Sequence, residues 1–129
     1  MKWIMNLGSL KFFLIFIFLS KFLYAEKITG DYAVFKLLDK TTNKVSKKDI
    51  SVNSKVNWHS LNIEIYACYS TPPEEIPEDY VLIEVKDSLN YIDESVYKGW
   101  MISSSPDVTP LEHPIYDLWL VDCKVDKIS

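Results

Sequence analysis

Two histidines, two cysteines and one dense stretch of acid, proline and tyrosine are where this 129-residue chain could do chemistry. The segment Glu112-His113-Pro114-Ile115-Tyr116-Asp117 offers a general base, His113, with Glu112 or Asp117 near enough to orient it. A base needs a nucleophile, a metal or an activated water. The sequence has no Gly-x-Ser-x-Gly elbow, and Ser103-Ser104-Ser105 before Pro106 reads as a strand exit. His113 and Glu112 are therefore expected to hold an unusual turn between Pro110 and Pro114, and no catalytic residue is assigned. A hydrolase of an envelope polymer using His113 stands as an alternative.

Metal chemistry is expected even less. His59, Cys68, His113 and Cys123 are the ligand types for zinc, but His59–Cys68 and His113–Cys123 lie nine and ten positions apart. Zinc ligands usually sit about two to five residues apart. Glu74, Glu75, Glu78 and Asp79 lack the alternating Asp/Asn pattern and glycine of a calcium loop, so they read as a solvated acidic loop. No metal and no cofactor is expected. The cysteines carry no Cys-x-x-Cys redox motif, and an even count in an oxidising compartment reads as one disulfide, Cys68–Cys123. Closing so long a loop restricts the unfolded chain by about 4 kcal/mol.

The compartment follows from the first 25 residues. Phe12 to Leu19 (FFLIFIFL) has the size of a signal-peptide h-region, with Lys2 and Lys11 before it and small Ala25 ahead of Glu26-Lys27. The expectation is a signal peptide over 1–25, exported to the periplasm. The alternative is an N-terminal membrane anchor with Lys11 and Lys21 at the two interfaces and the domain facing the periplasm. Residues 1–25 hold three lysines and no acid, so the remainder carries 11 Lys against 18 Asp and Glu, a formal charge of −7. Such a domain has no electrostatic footprint for nucleic acid. Membrane contact is expected only through the N-terminal segment.

What must position these residues is a set of strands. Beyond residue 25, alternation and β-branched or aromatic enrichment replace helical periodicity. Candidates are Tyr32–Leu38, an exposed Lys44–Val52, a Lys55–Trp58/Leu61–Tyr69 hairpin closed at His59-Ser60, Tyr80–Lys86, Val96–Ser103 and Tyr116–Lys124. Strict alternation puts Cys68 with Asn62, Glu64 and Tyr66, opposite Leu61, Ile63, Ile65 and Ala67. It puts Cys123 with Trp119 and Val121. Ser70–Asp79 (STPPEEIPED) reads as an extended, polyproline-like surface loop. The expected fold is all-β, a compact antiparallel sandwich or small barrel of about seven strands forming one domain over 26–129. Lys44, Lys47, Lys48 and Lys55 are suited to blunting sheet edges.

Two passages are distinctive: Cys68-Tyr69-Ser70-Thr71-Pro72-Pro73-Glu74-Glu75-Ile76-Pro77-Glu78, and Gly99-Trp100-Met101-Ile102-Ser103-Ser104-Ser105-Pro106 continued by Leu111-Glu112-His113-Pro114-Ile115-Tyr116-Asp117-Leu118-Trp119 and Cys123. Together with Leu38-Asp39-Lys40-Thr41 they resemble an exported alphaproteobacterial family, domain of unknown function 2155, over roughly residues 33–124. The resemblance implies a signal peptide, periplasmic residence and a compact domain containing both cysteines, and it implies no activity. Members of that family tend to have glycine where His59 stands, which implies a turn position with positive φ.

The functional expectation is a non-catalytic interaction module of the cell envelope whose partner is another envelope protein. Its expected surface joins Pro72, Pro73, Glu74 and Glu75 of the proline-rich loop to Glu112, His113 and Tyr116 of the Ser104–Asp117 segment, because irregular segments carry function more often than strands do. Trp58, Trp100, Trp119, Tyr66, Tyr69, Tyr97 and Tyr116 are many aromatics for so small a domain. Any exposed beside the proline-rich loop would form a face for a protein segment or, as a further alternative, for a glycan.

Overall fold

The computed structural model describes residues 7–19, 26–89 and 95–126. A helix, α1 (Leu7–Leu19), covers the apolar run, and no helix among the described residues is long and apolar enough to cross a membrane. The expected cleavage position after Ala25 lies outside the described residues. Among the described residues eight strands follow: β1 (Ile28–Thr29), β2 (Tyr32–Asp39), β3 (Lys44–Ser51), β4 (Ser54–Trp58), β5 (Leu61–Ser70), β6 (Asp79–Asp87), β7 (Ser95–Ile102) and β8 (Tyr116–Lys124).

All the pairings are antiparallel. The larger sheet runs β1-β5-β6-β7, and β4 also pairs with β5. Since β6 occupies one side of β5, β1 and β4 share the other, β1 against Tyr69–Ser70 and β4 against Leu61–Ile65. The smaller sheet runs β3-β2-β8. The result is an open two-sheet sandwich, so of the two expected architectures the barrel is not formed. The short β1 had no counterpart in the sequence reading, because two residues carry no period.

Inward faces meet over one core. Leu61, Ile63, Ile65, Val81, Ile83, Val85 and Met101 come from the larger sheet, and Ala33, Phe35, Leu37, Ile50, Leu118 and Leu120 from the smaller. Each fully buried aliphatic side chain here is worth about 1.5–3 kcal/mol in transfer free energy. Outward positions between them are polar or half-exposed, as the period of two requires.

The alternation breaks at the two cysteines. On β5 the register steps from Ile65 opposite Ile83 to Ala67 opposite Leu82, leaving Tyr66 as an extra residue. On β8 it steps from Leu120 opposite Phe35 to Asp122 opposite Val34, leaving Val121 extra. Each bulge falls two residues before a cysteine and shifts the strand's phase by one. Cys68 therefore turns inward beside Leu61, Ile63 and Ile65, and Cys123 turns inward, away from Trp119 and Val121. Both assignments from strict alternation are corrected. The phase shifts are what allow the cysteines to meet across the core as a disulfide, with Cα atoms 5.8 Å apart.

Turns follow their residues. His59 closes the two-residue β4–β5 turn with φ of 55°, the left-handed conformation that a family glycine implied. The β2–β3 turn uses Asp39, whose Oδ1 accepts from the Thr41 amide and hydroxyl and the Thr42 amide. β3 is an edge strand, and Lys44, Lys47 and Lys48 lie on it, while Lys55 lies on β4 at the other sheet's margin.

Candidate functional site

The chain brings its distinctive residues to three places. The first is the disulfide end. Residues Thr71–Glu78 do not run out as a polyproline arm; they fold back. The Thr71 amide donates to the Glu78 carbonyl (3.0 Å), its hydroxyl donates to the Ile76 carbonyl (3.0 Å), and that oxygen accepts the Glu78 amide (3.0 Å). A tighter turn inside is held by the Glu75 amide on the Pro72 carbonyl. One threonine thus closes a loop that its prolines alone would have left extended, and Pro72 is buried beneath it while Pro73, Glu74 and Glu75 stay exposed.

The acids of this loop divide into two kinds. Glu78 accepts from the amides and hydroxyls of both Ser103 and Ser104, fastening the loop to the end of β7. Burial works against its charge, yet these hydrogen bonds hold its carboxyl below the usual range. Asp79 accepts from the Ser70 hydroxyl (2.7 Å), the Ser103 hydroxyl (3.2 Å) and the Cys123 amide (3.3 Å). Burial and the neighbouring Asp79 carboxylate push the Asp122 carboxyl up. Glu75, Glu78, Asp79 and Asp122 line a shallow hollow of about 250 Å³ with Pro73 and Pro77.

The second place is the opposite end. β6 starts at Asp79 and finishes at Asp87, and His113 sits against Asp87. The His113 Nδ1 accepts from the Ile115 and Tyr116 amides, both at 3.1 Å. Accepting there fixes the proton on Nε2, which donates to Asp87 Oδ2 at 2.8 Å. Burial raises the Asp87 carboxyl, but the bonds from His113 and the Leu89 amide bring it below its ordinary value. The His113 ring also stacks on Tyr116 (5.2 Å between centroids), as His59 does (5.5 Å). The Lys40 ammonium donates to the His113 carbonyl (3.0 Å) and pairs with Asp117 (3.1 Å). His113 is 6% exposed and both its nitrogens are engaged in holding the turn into β8, so it has no lone pair free for a base.

The residues of the expected joint surface are not all brought together. Pro72, Pro73, Glu74 and Glu75 lie at one end, and Glu112, His113 and Tyr116 at the other, because the Ser103–Ile115 segment travels the length of the sandwich. Glu112 stays exposed, beside a hollow of about 470 Å³ that it lines with Asp87, Leu89, Val96, His113 and Pro114. The zinc-type residues do not converge either, since the cysteines join each other and the histidines flank Tyr116.

The third place is the outer face of the larger sheet beside the proline-rich loop. After the Tyr66 bulge, Tyr69 faces out with Tyr80 and Ile102, and Ala67 faces out with Leu82 and Trp100. Trp100 is 45% exposed, and its ring lies 6.0 Å from that of Tyr69 at a tilt of 34°. Lys27 caps the Tyr80 ring at 4.9 Å. Further along, Tyr66 donates to Glu64 and Glu84, both at 3.1 Å. Partial burial and those two carboxylates push its phenol up to about 12. Of the other candidate aromatics, Trp58 is buried with Lys48 over it, Tyr97 packs at the core margin, and Trp119 faces out, half-buried, from the opposite sheet. The sequence named this aromatic set without separating its members. The missing signal was the bulge, which decides that Tyr69 rather than Cys68 faces solvent.

A disulfide-linked β-sandwich with Trp100 exposed on its outer aromatic face and a histidine, His113, built into a turn is the class that fold and site define. A family model described as an uncharacterized protein conserved in bacteria (DUF2155) matches residues 33–123, and the chain belongs to that family. It is also similar to an uncharacterized protein of Rickettsia prowazekii (strain Madrid E), 26% identical over 89 residues, which are 67% of this chain. The chain matches 56% of that relative's length. No solved structure matches it.

Proposed function

We propose that this chain is a non-catalytic interaction module of the cell envelope, exported to the periplasm, whose partner is another envelope protein. The observation that supports the reading is the outer aromatic face at Tyr69, Tyr80 and Trp100, lying open beside a loop that Thr71 and Glu78 hold in shape. An aromatic anchor flanked by a fixed polar rim is what protein interfaces use, because large rigid rings gain contact area at little entropic cost. The hydrolase alternative loses its base, since both His113 nitrogens are committed. The glycan alternative needs coplanar exposed rings, whereas Trp100 and Trp119 stand on different sheets and Tyr69 is tilted against Trp100.

The test is cross-linking of the full chain in its native envelope, with Tyr69→Ala and Glu75→Lys as variants. A protein captured reproducibly by the unaltered chain, and lost with Tyr69→Ala while the melting curve is kept, supports the module. Equal capture by all three chains refutes this face as the docking surface.

A further inference from the structure

We propose that the open edge of β7 pairs antiparallel with β7 of a second copy, about a two-fold axis at Gly99, joining the larger sheets of two chains into one. The inference rests on reading the domain as an interaction module and adds a partner, the chain itself, and a mode, strand addition.

The edges of the two sheets are not alike. β3 carries Lys44, Lys47 and Lys48, and β4 carries Lys55, so a second copy of either would set lysines against lysines. β1 is two residues long. On β8, Asp79 already takes the Cys123 amide. β7 ends its sheet with one lysine and no proline over eight residues. Such an edge is a template for pairing with another chain wherever its outward groups are left uncovered.

The direction of its backbone groups follows from two bonds. The Ser103 amide donates to the Asp79 carbonyl, toward β6, and the Ile102 amide donates to Thr109 Oγ1, away from it. Alternation then aims the amides and carbonyls of Lys98 and Trp100 outward. Thr109 covers Ile102, leaving a window at Lys98 and Trp100. Only one register uses every group in that window. With the axis at Gly99, Lys98 faces Trp100 of the second copy, and that pair exchanges both of its backbone hydrogen bonds twice over. The Trp100 carbonyl already accepts the Tyr97 hydroxyl and keeps a second lone pair for this.

The side chains suit that register. On the outer face each Lys98 side chain, whose ammonium pairs with Glu84 at 3.4 Å, would lie beside a Trp100 indole of the other copy. At the axis glycine meets glycine: Gly99 has φ of 151°, a backbone that favours glycine, and the facing pair sets no side chain on either face of the joined sheet. The product sets two Tyr69–Trp100 pairs on one continuous surface.

Sedimentation equilibrium of the full chain as recovered from expressing cells, in detergent if α1 is retained, tests the pairing. A monomer–dimer equilibrium is expected. Lys98→Pro removes the outward amide and with it the Lys98–Glu84 ion pair, and should abolish the dimer, whereas Lys98→Ala, which loses the ion pair and keeps the amide, should retain it. Trp100→Lys places like charges opposite each other at two symmetric positions and should weaken it about tenfold, whereas Trp100→Glu places an acid opposite Lys98 and should not. A chain that stays monomeric up to about 1 mM, or equal effects of Trp100→Lys and Trp100→Glu, overturns the pairing. A monomer that still captures its envelope partner through Tyr69 overturns the pairing alone. A dimer that captures nothing supports the pairing and removes the proposed heterologous partner.

Discussion

Replacing His113 with alanine separates a structural histidine from a chemical one. The change leaves the Ile115 and Tyr116 amides without their acceptor and Asp87 without one of its donors, and it removes the ring stacked on Tyr116. Each buried amide left unpaired costs about 1–3 kcal/mol, and the adjoining hollow lets water reach them, so about 1 kcal/mol apiece applies. The lost bond to Asp87 and the lost ring contact add about 1–2 kcal/mol more. The sum is about 3–4 kcal/mol, a large part of what a domain this size has. In urea, with m near 1.5 kcal/mol/M, the midpoint should fall by about 2–3 M. His113→Asn keeps an acceptor near the Nδ1 position and should recover about half. The Asp87 carboxyl is depressed in the fold, so its contribution is present above the unfolded value of 3.8 and disappears as pH falls through the folded one. The gap between His113→Ala and the unaltered chain should therefore narrow below about pH 4. A loss under about 1 kcal/mol, or equal losses for Ala and Asn, would refute the clip.

Three further outcomes follow from the same geometry. Reduction of Cys68–Cys123, or serine at both positions, should cost about 4 kcal/mol and lower the melting temperature by about 20 °C; unchanged melting would show that the bond does not restrain the unfolded chain. Asp122→Asn should stabilise by up to about 0.5 kcal/mol at pH 7. Its carboxyl is raised in the fold, so its favourable state exists below 3.8 and is lost as pH rises, and the gain should vanish in urea melts at pH 3.5. His59→Gly relieves a left-handed backbone worth about 1 kcal/mol and forfeits a stacking contact worth about 0.5 kcal/mol, so equilibrium unfolding should show a small gain; a loss above 1 kcal/mol would refute it.

Much of the sandwich is legible in sequence because its strands obey a local rule. Leu61, Ile63, Ile65 and Val81, Ile83, Val85 alternate as two-sided strands must, and both lie where the pattern puts them. The failures share one cause, a partner far away in the chain. A bulge is a property of two strands, so nothing near Tyr66 or Val121 announces the phase shift that turns Cys68 and Cys123 inward. Thr71 closes its loop on Glu78, and Glu78 is fixed in turn by Ser103 and Ser104. The division of the expected surface between two ends has the same cause. Two distinctive motifs were read as one site, but the length of the Ser103–Ile115 segment sets His113 at the far end from Pro72. The tendency of His113 to hold a turn was readable from its flanking prolines; its ties to Asp87 and Lys40 were not.

The smaller sheet places β2 beside β8, the first of its strands in the chain against the last. During synthesis β2 and β3 can form a hairpin early, but its lysine-rich edge is the wrong side to complete the sheet, and the other side stays bare until β8 arrives. The inner face of Phe35 and Leu37 is uncovered for the same interval. Folding of this domain is therefore a closing event rather than a growing one, slow in the manner of topologies dominated by distant pairings, and its period of greatest exposure to proteases and to association falls before the last strand joins. The disulfide, which needs that strand, seals a structure already closed.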